Sequence, residues 1–278
     1  MKILRDPFEL RQIAMDLKHR GQSLGFVPTM GDLHDGHASL IARAKSENRH
    51  TCVSLFVNPI QFNDPKDYEK YPKEKKEDLE RCKNLEVDFV FVPQVDDLYP
   101  SSAESLDTFR IVEEDLSREL CGKSRPGHFS GMLTIVMKLF QIAQPTRAYF
   151  GEKDFQQLHL VRAMAKAFFL SIEVVPCPIV REKSGLAMSS RNARLTFEQR
   201  AHAAQIFKIV KSADSAENCE RLLSQAGFEV DYLREKWGRR LVAVNFCGVR
   251  LIDNLSLDEL DSKDFSPNLL TQVKENSL

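Results

Sequence analysis

Two histidines at 34 and 37, in the run His34-Asp35-Gly36-His37, are the residues best suited to chemistry on a phosphate. Residues three apart on the first turn of a helix share one face. Gly36 would let a phosphate approach the backbone closely. A helix N-terminus adds unpaired N–H groups and a partial positive charge. Protonated imidazoles could then donate to phosphate oxygens as charge develops on them. Read alone, the pair also suits two surface histidines, or half of a zinc site with no third ligand nearby.

Four further groups carry polar residues in similar settings. Gly151-Glu152-Lys153-Asp154 offers a cation for phosphate and, in Asp154, a helix cap. Gln157 would lie one turn on, facing the same cleft. Met188-Ser189-Ser190-Arg191 pairs two short hydroxyl donors with a planar guanidinium, a combination that suits a triphosphate. Arg125-Pro126-Gly127-His128 precedes a strong helix, and Gln61 follows Asn58-Pro59-Ile60 after a strand. Each segment alone also reads as an ordinary cap or turn. Their joint occurrence after strands carries the argument.

The elements that must position them alternate between strand and helix. Leu24–Pro28, Thr51–Val57, Asp88–Pro93, Arg147–Phe150 and Ile172–Pro176 read as strands. Gly36–Asn48, Lys73–Leu85, Glu113–Leu120, Phe129–Ala143, Phe155–Phe169 and Thr196–Lys211 read as helices, Gln94–Asp107 as loop. The first 21 residues read as an amphipathic helix. Alternation of this kind predicts an α/β fold, a Rossmann-like parallel sheet with helices on both faces. Ligands in such sheets bind beyond the carboxyl ends of the strands. After about Ser212 the pattern becomes a helix, Ala213–Ala226, and three strands, Phe228–Leu233, Arg240–Phe246 and Val249–Asp253. The chain is therefore expected to divide into a domain spanning 1–184 and a small C-terminal α+β domain spanning 185–278, with a polar tail from Ser256.

Bulk composition narrows the class. Of 278 residues, 42% are hydrophobic and 28% charged, enough for a sizeable core. A net charge of −1 argues against a dedicated nucleic-acid or anionic-membrane binder. No apolar run approaches the ~20 residues of a membrane span, and the charged N-terminus is no signal peptide. Six scattered cysteines form no close pair. Reduced thiols in a cytoplasmic protein fit best, and no protein metal site is expected.

Taken together, VPTMGDLHDGH at 27–37, FVNPIQF at 56–62, RPGHFSGM at 125–132, YFGEKDFQQL at 149–158 and GLAMSSRN at 185–192 resemble the pantothenate synthetase (pantoate–β-alanine ligase) family. VDYL at 230–233 and RLIDN at 250–254 are similar to its small C-terminal domain. The resemblance implies an AMP-forming ligase. Pantoate would attack the α-phosphate of Mg-ATP to give pantoyl adenylate, which β-alanine would convert to pantothenate. It further implies that Met30, Gly31, Asp32, Leu33, His34, Asp35, Gly36 and His37 contact ATP, with His37 the proton donor. Gly151, Glu152, Lys153, Asp154, Val180, Met188, Ser189, Ser190 and Arg191 would complete that site. His34, Lys153, Ser189, Ser190 and Arg191 would serve the chemistry beside His37. Gln61, Gln157 and Arg125 would hold substrate, with Gln61 meeting both pantoate and β-alanine. ATP and Mg²⁺ would be required, and a homodimer through the N-terminal domain is implied.

Three features depart from the family pattern. Asp32 stands where a small or neutral residue is more usual. The connection at 234–239 is short, and the chain beyond Leu255 is unusually polar. Rival readings are another HxGH adenylyltransferase, a class I aminoacyl-tRNA synthetase whose KMSKS loop MSSR loosely resembles, and a catalytically dead ATP-binding scaffold. The two adenylating rivals should lack the paired Gln61 and Gln157 or need a tRNA-binding surface, and the scaffold would bind ligands without releasing AMP.

Overall fold

In the computed structural model, residues 1–63, 68, 69, 71, 76–99 and 109–261 are described. Six parallel strands form one sheet: β1 (Lys2–Leu4), β2 (Leu24–Thr29), β3 (His50–Leu55), β4 (Phe89–Phe91), β5 (Arg147–Gly151) and β6 (Glu173–Cys177). Their order is β1-β4-β3-β2-β5-β6. From β2 the chain steps outward through β3 to β4, then returns to lay β5 and β6 on the other side. The order therefore reverses between β2 and β5, where an open α/β sheet leaves a crevice.

Helices cover both faces. Successive residues of a strand point to opposite faces. Phe26 and Ala148 accordingly pack under α1 (Pro7–His19), α6 (His128–Ala143) and α7 (Phe155–Ala167). Their neighbours Val27 and Tyr149 pack under α2 (Asp35–Glu47) and α3 (Lys76–Asn84). α6 is the deepest helix, with Leu133 and Phe140 each 1% exposed.

A second, antiparallel sheet joins β7 (Glu229–Lys236), β8 (Arg239–Phe246) and β9 (Val249–Ser256). Its core is shared with α8 (Phe197–Ala203), α9 (Gln205–Ser212) and α10 (Ala216–Gln225), and α11 (Leu257–Asp261) follows. The short connection near 234–239 is now explained. β7 runs on to Lys236, and Trp237-Gly238 turns the chain in two residues, both at positive φ (55° and 70°). Such a turn matches the twist of a tight hairpin.

Several elements differ from the sequence reading. β1 occupies residues that the sequence pattern assigns to the first helix, which instead begins at Pro7, capped by Asp6. The expected helix Glu113–Leu120 does not form. The Glu113 carboxylate accepts the N–H groups of Asp115, Leu116 and Ser117, satisfying them outside a helical ladder. Leu120 then turns to φ 48° before the short α5 (Cys121–Ser124). Within the expected loop Gln94–Asp107, Val95–Leu98 forms one helical turn, α4, and positions 100–107 lie outside the described residues. The expected helix Thr196–Lys211 is two, broken at Ala204. Positions 73–75 of the expected helix Lys73–Leu85, and the tail from 262, also lie outside the described residues.

Candidate active site

The loop after β2 is built backwards from a buried carboxylate. Gly31 and Asp32 adopt positive φ (83° and 53°), which turns the following N–H groups inward. Asp78, 4% exposed on α3, accepts from Asp32 N at 2.9 Å and Leu33 N at 2.8 Å. Asp32 is thus explained as a backbone residue. Aspartate is among the few non-glycine residues that tolerate the left-handed region, and its side chain does not line the cleft.

The turn delivers the two histidines. His34 caps α2, its Nδ1 accepting from Gly36 N at 3.1 Å, and His37 Nδ1 accepts from His34 N at 3.2 Å. The ring centroids lie 4.1 Å apart. A Cβ on Gly36 would come within 2.8 Å of the His34 ring, so glycine is required because the ring folds over it. With both Nδ1 atoms accepting, each neutral imidazole carries its proton on Nε2. Burial, then His34, pushes His37 down to about 3. Burial, then Lys153, lowers His34. The free protein therefore presents neutral Nε2–H donors near neutral pH, not the imidazolium pair expected from the sequence.

The remaining ATP-side loops converge on the same crevice. Asn254 on β9 donates to the carbonyls of Glu152 at 2.9 Å and Lys153 at 3.1 Å, fixing the turn after β5. Asp154 makes no capping hydrogen bond to α7. Its carboxylate faces Lys153 at 3.8 Å. Burial would raise the Asp154 carboxyl, but Lys153, Arg191, His128 and Arg125 hold it below its ordinary value. Met188 N donates to Val180 O at 3.0 Å. Ser189 Oγ accepts Arg191 N, and Ser190 Oγ donates to Asp32 O at 3.2 Å, stitching this loop to the one after β2. The Arg191 side chain has no hydrogen-bond or ion-pair partner among the described residues, and it lines the cleft.

The opposite wall is polar and closed. Gln61, 7% exposed, sits in a single 3₁₀ turn after β3. Asn58 Nδ2 donates to Gln61 Oε1 at 3.0 Å, and Gln61 Nε2 reaches Met30 Sδ at 2.9 Å. His128, 9% exposed, donates from Nδ1 to Gln61 O at 2.8 Å and accepts from Arg125 at 3.2 Å. Burial, then Arg125, pushes His128 down to about 4, which keeps that acceptor available. Gln156 and Gln157 part company: Gln156 is spent on Cys121 N and two carbonyls, while Gln157 faces the cleft.

The cleft of about 260 Å³ thus gathers Met30, His34, Gly36, His37, Gln61 and Arg125 with Gly151, Lys153, Asp154, Gln157, Val180 and Met188 to Arg191. Other expected contacts point elsewhere. Leu33 packs in the core, Asp35 pairs with Arg81 and Glu152 lies 3.4 Å from Arg239. Sequence reasoning missed Asp78, Asn58, Tyr99, His128 and Asn254 as supports. Only Asn58, His128 and Asn254 had a signal, lying inside quoted motifs.

Comparisons with known proteins give the family of the chain. The family described as pantoate-beta-alanine ligase matches residues 2–256. A pantothenate synthetase of Bdellovibrio bacteriovorus is 47% identical over 256 residues, covering 92% of this chain and 99% of the relative. One from Legionella pneumophila is 50% identical over 235 residues, covering 84% and 92%. A solved pantoate-beta-alanine ligase from Francisella tularensis, complexed with beta-gamma ATP and beta-alanine, superposes with a TM-score of 0.85 at 41% identity, covering 93% of this chain and 98% of that one. Pantothenate synthetase from Thermus thermophilus gives 0.83 at 38%, covering 92% and 99%.

Proposed function

The chain belongs to the pantoate–β-alanine ligase family, and from that premise we propose that its cleft runs the two half-reactions of ATP-dependent pantothenate formation between two unlike walls. The observation that carries this reading is the meeting, at the β2/β5 crevice, of Nε2–H donors and cations with the glutamine wall.

In the first half-reaction a pantoate carboxylate oxygen attacks the α-phosphorus. The bond from that phosphorus to the bridging oxygen breaks, and pyrophosphate leaves with the electron pair. The carboxylate is already ionised at neutral pH, so no base is needed. The demand is in-line alignment and charge neutralisation. Gln61 and Gln157 hold pantoate, with Arg125 beside them. His34 and His37 donate through Nε2, and Lys153, Arg191, Ser189 and Ser190 bind phosphate oxygens. The negative charge of bound triphosphate favours protonation of both histidines, so His37 gains the capacity to give up a proton as pyrophosphate departs.

In the second half-reaction the β-alanine amine attacks the acyl carbon, the bond to AMP breaks, and the amine sheds a proton. The closed glutamine wall limits water near the adenylate.

Among the described residues no three metal-ligating side chains gather. A magnesium ion bound with the triphosphate would find in Asp154, a carboxylate not consumed as a helix cap, a residue able to hold it. It would screen the β- and γ-phosphates. The two domains are taken to divide at 184/185, consistent with their separate cores. We further propose a cytoplasmic homodimer. The family resemblance supports the dimer, and sedimentation tests it. Cysteines that are all free support the reducing compartment.

The deciding experiment omits each substrate in turn. Pyrophosphate should require ATP and pantoate, and AMP release should also require β-alanine. ADP as product overturns the adenylation reading.

A further inference from the structure

Tyr99 does not line the cleft, yet it closes a chain of buried hydrogen bonds that ends on an amide facing it. Its hydroxyl donates to Asn58 Oδ1 at 2.8 Å. Asn58 Nδ2 donates to Gly131 O at 3.1 Å and to Gln61 Oε1 at 3.0 Å. Gln61 Nε2 is then the end left facing Met30 and the cleft. Tyr99 and Asn58 are 3% and 1% exposed.

The direction of this chain is forced. The carbonyl of Gly131 can only accept, so the Asn58 atom beside it must be the NH₂ group. The other end of the amide is then oxygen, and the Tyr99 hydroxyl is its donor. Both NH₂ hydrogens are spent, one on Gly131 and one on Gln61 Oε1. Gln61 therefore cannot flip its amide without setting two NH₂ groups against each other in a buried place, which is costly. Helix α6 packs its backbone directly against this turn, since a Cβ on Gly131 would fall 2.3 Å from Ile60 O.

We propose that Tyr99 is a positioning residue. Through Asn58 it fixes Gln61 as a hydrogen-bond donor to the cleft, and so selects a substrate that offers acceptors there: a carboxylate flanked by hydroxyl oxygens. The proposal rests on the reading of Gln61 as a pantoate residue. It adds that the hand of this amide, not merely its presence, sets affinity, and that it is set from outside the cleft.

Tyr99→Phe removes the hydroxyl and keeps the ring, which packs 6.5 Å from the Phe56 ring and lies under Lys138 Nζ. The expected result is a pantoate KM raised about five- to tenfold, the size of one lost buried hydrogen bond, with the ATP KM unchanged. In a Gln61→Ala background the same substitution should add almost nothing. A pantoate KM unchanged by Tyr99→Phe, equal rises for pantoate and ATP, or fully additive effects with Gln61→Ala each overturn the proposal. Should Tyr99→Phe not fold, Asn58→Asp tests the same point, because it replaces the donor facing Gln61 with an acceptor and turns the Gln61 amide around. Pantoate affinity should fall further than in Tyr99→Phe, and an unchanged pantoate KM there also overturns the idea. The outcomes separate from those of the underlying reading. If Gln61→Ala itself leaves pantoate KM alone, the Gln61 assignment fails. If Gln61→Ala is damaging and Tyr99→Phe is silent, only the relay fails.

Discussion

The two walls of the cleft are built on opposite principles. On the glutamine wall nearly every polar atom already has a protein partner: Gln61 is held by Asn58, Met30 and His128, and Asn58 by Tyr99 and Gly131. On the phosphate wall the Arg191 side chain lines the cleft with no hydrogen-bond or ion-pair partner among the described residues, and His34 and His37 line it with Nδ1 occupied and Nε2 left over; on the glutamine side only Gln157 is similarly unspent. The difference follows from the ligands. A neutral amide can be buried and fully satisfied in the free protein at little cost, and then binds without further ordering. A cation paired beforehand would have to break its ion pair before meeting phosphate. The phosphate wall therefore keeps Arg191 out of any ion pair and Lys153 in only a long 3.8 Å contact with Asp154, while Asp78 and Asn254 fix its loops through backbone atoms.

The strongest test of that contrast is Arg191→Ala. The Arg191 side chain makes no hydrogen bond or ion pair among the described residues and shares the Asp154 charge with Lys153, His128 and Arg125, so the melting temperature of the ligand-free protein should fall only slightly. Loss of one transition-state donor should lower the adenylation rate about 10²–10³-fold. Pyrophosphate release in the presence of ATP and pantoate measures the rate. A large thermal destabilisation would mean that Arg191 is a structural residue and that the contrast is false.

On the other wall, Gln61→Ala should act on both properties. It leaves Asn58 with an unpaired, buried N–H, which costs about 1–3 kcal/mol of stability. It also raises the pantoate KM by about tenfold or more while the ATP KM stays put. Denaturant unfolding and steady-state kinetics together decide it. A variant as stable as the parent would show that the relay is slack.

The sequence disclosed the phosphate wall more fully than the glutamine wall, for the same physical reason. Loops after β2 and β5 are local objects, in which a strand pattern, a glycine and a helix pattern lie within a dozen residues. The side chains that ligands need are displayed there in order. Supports are long-range. Asp78 sits in a helix, KEDLERCKN, whose charge reads as a solvated face, and only the sheet order brings it under the β2 loop. Tyr99 fell in a stretch read as loop, and the amide orientation of Asn58 depends on a carbonyl 73 residues away. The parallel sheet was legible from alternating periods. The failed helix at Glu113–Leu120 was not, because a carboxylate that captures three backbone N–H groups competes locally with the helix and leaves the apolar spacing intact.

Acid acts on both walls, since His37 and His128 are each held below the ordinary value, and His128 reports the glutamine side. His128 takes up a proton near 6.5 when unfolded but only at about 4 when folded. Between those values the unfolded state binds more protons, so stability is lost as pH falls from 6.5 towards 4. For this one group the loss between pH 7 and pH 5 is about 2 kcal/mol. His128→Asn places an amide N–H near the Nδ1 position and removes the titration. Its unfolding free energy should fall less over the same interval. A parallel pH dependence in parent and variant would show that His128 is not held neutral by the fold.

The smallest expected effect concerns Asp32, the residue that fits the family pattern least. If its carboxylate reached ATP, neutralising it would raise affinity markedly, since it would remove a repulsion beside the phosphates. The backbone makes a different demand. At φ 53° Asp32 supplies a left-handed turn whose following N–H groups fall onto Asp78. Asparagine tolerates that conformation as well as aspartate does, and alanine does not. Asp32→Asn should therefore leave ATP KM within about twofold and stability unchanged, whereas Asp32→Ala should cost about 1 kcal/mol or more through strain. ATP titration and thermal unfolding of the two variants read the two effects separately. If Asp32→Asn instead tightens ATP strongly, the phosphate wall contains a second carboxylate beside Asp154, and its cations would be answering both carboxylates as well as the nucleotide.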